Sequence, residues 1–459
     1  MILARLLAPE AFGLVATITM VISFAEIFAD AGFQKYIVQH EFSSEQELND
    51  CTNVAFWTNL GISSVLFILL VVFRDYIAAA VGSPELGLSI AVASVSIILV
   101  SFSSIQAARF RRELEFKKLF YARMGTSSLS LFITVPLAFL LRNHWALLLG
   151  TLAINLFNAV ILTVMSKWRP RFYYSFAYFR SMFSFTAWSL LEALTVWVNA
   201  YVGTFIVGRV LSDYYLGIYK TSMSTVNSYM AIITAATTPV LFASLSRYQN
   251  DDESFKRVYY TFQRLTSVLL LPMGVGLFVF RELATTVLLG SQWLEAADFI
   301  GLWALISALV IVFGHYNSEV YRSKGKPKIS LFCQLLHLCF LIPTLIFTVN
   351  GDFDILCTAR SLVRLQSILV DFIIISAVFG FSLKRIFGNV APALISAVLM
   401  GAVGYLLRMI SPSMLWQLVS IAICVIVYFA ILLIFFPKLR RELLSVPVIQ
   451  KVLRKLTKK

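Results

Sequence analysis

The chain has 459 residues, of which 59% are hydrophobic and 14% are charged, and its formal net charge is +14. Soluble domains are usually about 45–50% apolar and about 25% charged, so one large water-soluble core is excluded. The basic excess lies in short stretches between long apolar runs, and we therefore expect membrane lipids rather than nucleic acid as its partner.

Each apolar run is long enough, at about 20 residues, to cross the hydrocarbon core of a bilayer as a helix. The runs are continuous rather than alternating, which excludes a transmembrane barrel, and lipid leaves no other way to pair the backbone. The pattern predicts an all-α polytopic membrane protein. The predicted spans are 11–32, 51–73, 86–108, 119–141, 145–166, 181–208, 215–245, 260–280, 296–321, 329–349, 354–380, 388–408 and 412–436.

The basic residues lie mostly on one side of these spans. Taken alternately, one set of connections carries 29 Lys and Arg residues and the other carries 7. By the positive-inside rule the richer set is cytoplasmic, and so is the C-terminus. Residues 437–459 are predicted to form a basic amphipathic helix on the anionic inner leaflet, with docking of a partner as the alternative.

A short internal repeat divides the chain. Arg5–Leu14 resembles Arg209–Ile218 at an offset of 204 residues, and at the same offset Ser43–Asp50 falls on Arg247–Ser254. A whole apolar span precedes Arg209, whereas only four residues precede Arg5 and no secretory signal peptide is recognisable there. We therefore expect that most of a first helix is missing and that 13 of 14 spans are present.

The repeat predicts two pseudo-symmetric six-helix bundles followed by two further helices. An even number of spans in each copy indicates parallel repeats, a plan common in transporters whose substrate binds between the two bundles. The predicted domains are an N-terminal bundle at 1–166, a cytoplasmic linker at 167–180, a C-terminal bundle at 181–380, two additional transmembrane helices at 381–436 and the tail at 437–459.

Five motifs lie at span boundaries. They are Arg5–Ala16, Asp30–Phe33 with Ile37–Gln39, Ile206–Arg209 with Leu216–Tyr219, Pro239–Ser246 with Gln249 and Asp251, and Gly290–Trp293 with Ala296 and Ala297. In this order they resemble those of the Wzx-type polysaccharide-biosynthesis flippases, a family of the multidrug/oligosaccharidyl-lipid/polysaccharide exporter superfamily. The resemblance runs from Met1 to about residue 330, and Asn199 stands where the family has an Asp in its seventh helix.

The resemblance implies a flippase of the bacterial cytoplasmic (inner) membrane. Such a protein moves an undecaprenyl-diphosphate-linked oligosaccharide to the periplasmic leaflet for O-antigen, capsule or exopolysaccharide synthesis, through a V-shaped fold that opens to the two sides in turn. Its implied partners are the lipid-linked oligosaccharide and the polysaccharide polymerase machinery. The chain has no phosphate-binding loop, so an H⁺ or Na⁺ gradient or substrate flux would drive the movement.

Two other classes of protein remain as alternatives. A multidrug/cation antiporter of the same superfamily is disfavoured by the motifs at Arg5–Gly13 and Pro239–Ser246. A polysaccharide polymerase or ligase would need a long outer loop with catalytic residues. Asp352-Phe353-Asp354 matches the D-x-D of glycosyltransferases, but it falls in a short outer loop where no nucleotide sugar is available. We expect no enzymatic activity, no cofactor and no metal site, since the Cys and His residues are scattered.

Ionisable residues inside the spans are the candidate functional residues, because a charge at the bilayer centre costs at least about 2.5–3.5 kcal/mol. Arg360 and Arg364 lie four residues apart, and Arg binds phosphate bidentately, so this pair is the predicted diphosphate receptor. An ion pair with a neighbouring helix, or snorkelling to the interface, is the alternative. Lys220 and Asn199 are the other predicted substrate-binding residues. The predicted ion-coupling or cavity-lining residues are Glu26, Glu192, Asp30 and Asp371.

Overall fold

The structure is a computed structural model that describes residues 2–30, 32–437 and 439–441. Within those ranges the chain forms helices, turns and connections, without a strand. The amphipathic helix predicted for the tail lies almost entirely outside the described residues. The helices are α1 (Ile2–Leu6), α2 (Pro9–Asp30), α3 (Phe33–Gln39), α4 (Glu45–Val72), α5 (Arg74–Ala80), α6 (Gly87–Ala93), α7 (Val95–Arg112), α8 (Phe116–Leu141), α9 (His144–Met165), α10 (Phe176–Val210), α11 (Asp213–Arg247), α12 (Asp252–Val279), α13 (Arg281–Leu288), α14 (Ala297–Val310), α15 (Asn317–Ser323), α16 (Pro327–Thr348), α17 (Phe353–Leu362), α18 (Leu365–Phe379), α19 (Leu383–Ile410) and α20 (Met414–Phe435).

Thirteen helical segments of the described chain are long and apolar enough to cross a bilayer, and each corresponds to one predicted span. The predicted span 145–166, for example, is His144–Met165, and the predicted span 354–380 is Phe353–Phe379. The helix α10 begins at Phe176, five residues before the predicted span, because helical backbone continues into the polar connection. The predicted fold class, an all-α polytopic membrane protein, is confirmed.

Polar side chains cap the N-termini of several of these helices. They accept hydrogen bonds from first-turn amides that have no partner within the helix. The Ser44 hydroxyl accepts from the Glu47 amide at 3.1 Å before α4. The Asp352 carboxylate accepts from the Asp354 amide at 3.3 Å before α17. The D-x-D sequence is therefore the beginning of a helix, and its first carboxylate is a helix cap.

One compact unit comprises Met1–Thr221 and Leu345–Gly351. Within it, α2 packs against α4, α7, α9 and α10, around buried aliphatic side chains such as Ile22, Ile90 and Ile97. The predicted linker 167–180 also packs on this unit, because the Trp57 indole donates to the Arg171 carbonyl at 2.8 Å.

The second compact unit comprises Ser222–Thr344 and Asp352–Lys459. Its central helix is α12, which packs against α14 and α19, and α19 packs in turn against α20. The buried Tyr428 hydroxyl of α20 donates to the Val268 carbonyl of α12 at 2.8 Å. The two units divide inside α11, and α10 belongs to the first because it packs with α2, α3 and α4. The predicted ends of the two bundles, at residues 166 and 181, follow from the sequence repeat and stay a prediction.

The two copies of the repeated motif meet inside the first unit. Their helices α2 and α11 begin at Pro9 and Asp213, which are equivalent positions of the repeat. A Cβ atom added to Gly13 would overlap the Asp213 carbonyl, and one added to Gly217 would overlap the Pro9 carbonyl. The beginnings of α2 and α11 therefore cross backbone against backbone, and each copy supplies the glycine that the other requires.

Candidate functional site

Arg360 and Arg364 lie on either side of a break in one span of the second unit. Arg360 is in the last turn of α17, and Arg364 is the residue before α18. The Arg364 amide bonds to the Ser361 carbonyl at 3.4 Å, and the Ser367 amide bonds to the Arg364 carbonyl at 3.1 Å. These i to i−3 bonds tighten the helix into a 3₁₀-like turn, a feature common at functional sites.

Both guanidinium groups lie on the indole ring of Trp303. The Arg360 Cζ is 5.0 Å from the ring centroid, and the Arg364 Cζ is 4.2 Å from it. Trp303 lies on α14 with 2% exposure, and its Nε1 donates to the Asn227 Oδ1 at 3.1 Å, which fixes the orientation of the ring. The negative face of an aromatic ring stabilises a cation within about 6 Å. One tryptophan thus holds two cations in a defined place.

Arg364 has neutral partners. Its Nη1 donates to the Ser307 Oγ at 2.6 Å, and Ser307 lies one turn beyond Trp303 on α14. In the described part of the chain no carboxylate lies within ion-pair distance of Arg364, so the alternative of an ion pair with a neighbouring helix does not account for it. A guanidinium group such as that of Arg364, with neutral partners among the described residues, is costly inside a membrane unless an anion joins it.

Asp371 lies two turns beyond Arg364 but is held by other residues. Its Oδ1 accepts a hydrogen bond from the Tyr321 hydroxyl at 2.8 Å. A Cβ atom on Gly314 would lie 2.9 Å from its Oδ2, and Gly314 belongs to the π-helical turn Ile311–His315. The glycine and the widened turn therefore make room for the carboxylate, and π-helical turns are often found at functional sites.

In the first unit, Lys220 ends a row of aromatic side chains. Its Nζ lies 4.3 Å from the ring centroid of Tyr201, and this ring stacks on Trp197 with centroids 5.3 Å apart. The Trp197 Nε1 donates to the Ser23 Oγ of α2 at 3.0 Å. The row therefore connects the cation on α11 to a hydroxyl on α2.

Asn199 and Glu192 on α10 each have a partner, one within α10 and one on α3. The Asn199 Nδ2 donates to the Thr195 carbonyl of its own helix at 3.1 Å. The Glu192 carboxylate pairs with the Lys35 Nζ at 3.1 Å, and both side chains are about half exposed, at 46% and 49%. The side chain of Asp30 lies outside the described part of the structure.

Glu26 lines a cavity of about 270 Å³ inside the first unit, whose wall is partly polar and partly apolar. The cavity also receives the side chains of Ser96 on α7 and Asn155 on α9. A second cavity, of about 660 Å³, lies in the second unit and is lined almost wholly by apolar groups of α12, α13, α19 and α20, such as Pro272 and Leu418.

The sequence did not single out Trp303, Ser307 or Tyr201. One feature of the sequence could have identified Trp303, namely its position near the middle of the span Ser291–Ser323. Tryptophan is enriched at the membrane interfaces, so one at the centre of a span indicates a specific partner. Nothing in the spacing of Ser307 or Tyr201 distinguishes them from other span residues.

The thirteen spans and the charged groups buried among them define a multi-span α-helical membrane protein with polar sites inside its helical units. Residues 2–298 match the family described as polysaccharide biosynthesis protein. The chain belongs to that family, as its boundary motifs predict.

Named relatives extend this similarity. The succinoglycan biosynthesis transport protein ExoT of Rhizobium meliloti (strain 1021) is 29% identical over 311 residues, which cover 67% of this chain. The matched region is 62% of the length of that relative, which is less than two thirds. The lipopolysaccharide biosynthesis protein WzxC of Escherichia coli (strain K12) is 21% identical over 392 residues, covering 84% of this chain and 78% of that protein.

Solved structures share the fold. The lipid II flippase MurJ, in an inward closed conformation, matches with a TM-score of 0.74 and 15% identity, over 94% of this chain and 97% of that one. An inward-facing multidrug resistance transporter of the MATE family matches with a TM-score of 0.63 and 13% identity, over 83% of this chain and 92% of that one. At these identities the similarity concerns the fold alone.

Proposed function

We propose that this protein moves a lipid-linked polysaccharide precursor across a bacterial cytoplasmic membrane, and that Arg360 and Arg364 bind the diphosphate of that precursor. The observation that carries the proposal is the placement of both guanidinium groups on Trp303. Relatives named as transport and lipopolysaccharide biosynthesis proteins support the class of cargo.

The chemistry of the arginine pair fits a diphosphate. A guanidinium group presents a planar fork of donors that matches two phosphate oxygens, and two such groups provide a receptor for two neighbouring phosphates. Trp303 and Ser307 hold the pair before any ligand arrives, which reduces the ordering cost of binding. The same pair repels organic cations, which counts against a multidrug/cation antiporter.

A lipid-linked precursor also has an isoprenoid chain, which needs an apolar surface. The cavity of about 660 Å³ in the second unit offers one, because its walls are formed by side chains such as Leu269, Met273 and Val425. Burial of apolar surface contributes about 25 cal/mol per Å², so even a part of the isoprenoid chain bound in this cavity adds to the binding free energy. We propose that this cavity binds the isoprenoid chain of the precursor.

Complementation tests the proposal. In a bacterium deleted for its own Wzx-type flippase, the wild-type chain is expected to restore surface polysaccharide, whereas Arg360→Ala with Arg364→Ala is not. The matched control is Arg281→Ala with Arg408→Ala, which removes two arginines of the same unit that pair with Asp298 and Glu282. Membrane levels of each variant are measured by immunoblot.

Two results would count against the proposal. One is full complementation by the Arg360/Arg364 variant at wild-type membrane levels. The other is equal loss in the control variant, which would make the effect one of charge removal in general. Unchanged susceptibility to cationic drugs in every strain is the further expectation.

A further inference from the structure

Basic side chains from three connections of the second unit meet at one end of that unit. Lys256 lies near the start of α12, Lys324 directly follows α15, and Arg385 lies in the first turn of α19. All three connections belong to the set that the positive-inside rule assigns to the cytoplasm. Cations that are far apart in the sequence therefore come together where these helices leave the membrane.

Three buried aromatic rings form the centre of this region. The ring of Phe381, which is 2% exposed, lies 6.4 Å from that of Phe255 and 5.6 Å from that of Tyr260, between centroids. Gly380 ends α18 with a φ of +65°, a conformation that glycine adopts without strain, and the chain turns there so that Phe381 packs inward. The Tyr260 hydroxyl accepts a hydrogen bond from the Ser382 amide at 3.1 Å, which fixes the ring against the start of α19.

Each of these rings carries one cation. The distances from the charged group to the ring centroid are 4.6 Å for Lys324 over Phe255, 5.7 Å for Lys256 over Phe381 and 4.5 Å for Arg385 over Tyr260. A cation within about 6 Å of a ring centroid is attracted to the negative face of the ring. The six residues form one basic–aromatic cluster, in which packed rings hold the three cations in place.

The basic–aromatic cluster has more positive than negative charge. Asp252 pairs with Lys324 at 2.6 Å and balances that one cation. Among the described residues, no carboxylate lies within ion-pair distance of Lys256 or Arg385. Two positive charges are therefore left for an anionic ligand.

Apolar side chains on the neighbouring turns indicate that this ligand is amphipathic. Phe387, two residues beyond Arg385 on α19, is 49% exposed, and Val378, near the end of α18, is 46% exposed. An acidic protein segment in water would contact the cations alone, whereas a lipid contacts the cations with its phosphate and these side chains with its acyl chains. Basic pockets between transmembrane helices on the cytoplasmic side are suited to anionic headgroups. We propose that the basic–aromatic cluster binds an anionic phospholipid of the cytoplasmic leaflet.

This lipid is a resident of the membrane rather than the transported precursor, so its binding is measured without precursor and does not depend on the proposed function. The purified full-length protein in detergent is titrated with dioleoyl phosphatidylglycerol or with dioleoyl phosphatidylcholine. Native mass spectrometry gives the dissociation constant of the first bound lipid. Each basic residue near the headgroup contributes about fivefold, so phosphatidylglycerol should bind about thirtyfold more tightly than phosphatidylcholine.

Variants locate the lipid. Lys256→Gln with Arg385→Gln should lower the affinity for phosphatidylglycerol about thirtyfold, to that for phosphatidylcholine. The matched control is Lys117→Gln with Arg123→Gln, which removes two basic residues of α8 in the first unit. Lys117 also lies over a ring, 5.9 Å from the centroid of Tyr121, but this ring is 53% exposed. The control should keep the wild-type affinity.

Several outcomes would overturn the phospholipid site. Equal affinities of the wild type for the two lipids, or an unchanged affinity in the double variant, would place phosphatidylglycerol elsewhere. An equal loss in the control would reduce the effect to total charge, and displacement of phosphatidylglycerol by undecaprenyl diphosphate at equal concentration would assign the cluster to the precursor. If the double variant does not fold, Lys256→Gln and Arg385→Gln are measured singly, and an unchanged affinity in both would also contradict the site.

Discussion

Trp303 determines how the two arginines are presented. Its ring lies between 4.2 and 5.0 Å from both guanidinium carbons, and the bond from Nε1 to Asn227 prevents it from turning away. Each exposed or buried cation–π contact contributes about 0.5–2 kcal/mol. The indole therefore offsets part of the repulsion between two neighbouring positive charges and holds both guanidinium groups in place.

Trp303→Leu should weaken binding of undecaprenyl diphosphate about tenfold, because the arginines lose a contact of about 1.4 kcal/mol that orients them. Titration of the purified protein with undecaprenyl diphosphate, followed by native mass spectrometry, measures this. Trp416→Leu is the control. The Trp416 indole of α20 donates to the Leu407 carbonyl of α19 and does not contact the arginine pair. Equal affinities for wild type and Trp303→Leu would remove the indole from the site.

Arg364→Lys separates charge from shape. Lysine keeps the positive charge but lacks the planar fork that stacks on Trp303 and reaches Ser307. We expect Arg364→Lys to bind undecaprenyl diphosphate more tightly than Arg364→Ala but more weakly than wild type. Full affinity in the lysine variant would show that charge alone suffices.

At the level of whole helices, the crossing of α2 and α11 depends on Gly13 and Gly217. Each glycine lies against the carbonyl at the first residue of the other helix, so neither position has space for a methyl group. Close backbone approach through small residues is how helices pack without a hydrophobic driving force in lipid. The repeat seen in the sequence is thus also a contact between its two copies.

Gly13→Ala and Gly217→Ala should each destabilise the protein by about 1–3 kcal/mol, the usual cost of overpacking. Gly61→Ala is the matched control, because a Cβ on Gly61 meets nothing within 4 Å, and it should stabilise α4 by about 0.5–1 kcal/mol. The thermal unfolding midpoints of the three variants are compared in detergent. A midpoint for Gly13→Ala equal to or above that of Gly61→Ala would contradict the close crossing of α2 and α11.

Helix positions were predictable because lipid leaves the backbone only one way to pair over a long apolar run. The sequence also placed Arg360 and Arg364 on a common side, since four residues make about one turn. It could not reveal Trp303 or Ser307 as their neighbours, because the packing of α14 against α17 joins residues more than 50 positions apart. Glu192 and Asn199 were predicted from their positions inside a span, and such positions do not reveal that Lys35 and the Thr195 carbonyl engage their side chains.

For the molecule as a whole, the distribution of charge predicts the orientation in the membrane. The connections assigned to the cytoplasm carry 29 basic residues against 7 on the other side. Lys and Arg in short connections determine orientation, and Asp and Glu contribute little. The C-terminus and the linker 167–180 are therefore predicted to face the cytoplasm, together with the break between α11 and α12.

Reporter fusions test this orientation. Alkaline phosphatase, which is active only outside the cytoplasm, should be inactive when fused after Lys459 and active when fused after Arg142, in the connection between α8 and α9. A fluorescent protein should give the opposite pattern. An active phosphatase at Lys459 would reverse the predicted topology.

The central claim is that the arginine pair on Trp303 recognises the diphosphate of a lipid-linked precursor during its movement across the bilayer. Its most direct test uses proteoliposomes that contain a fluorescent undecaprenyl-diphosphate-linked saccharide and a quencher that cannot cross the membrane. With the wild-type protein, the quenched fraction should rise as lipid from the inner leaflet reaches the outer one, and Arg360→Ala with Arg364→Ala should stay at the level of empty vesicles. Equal movement by this variant and the wild type, or none by either, would contradict the claim.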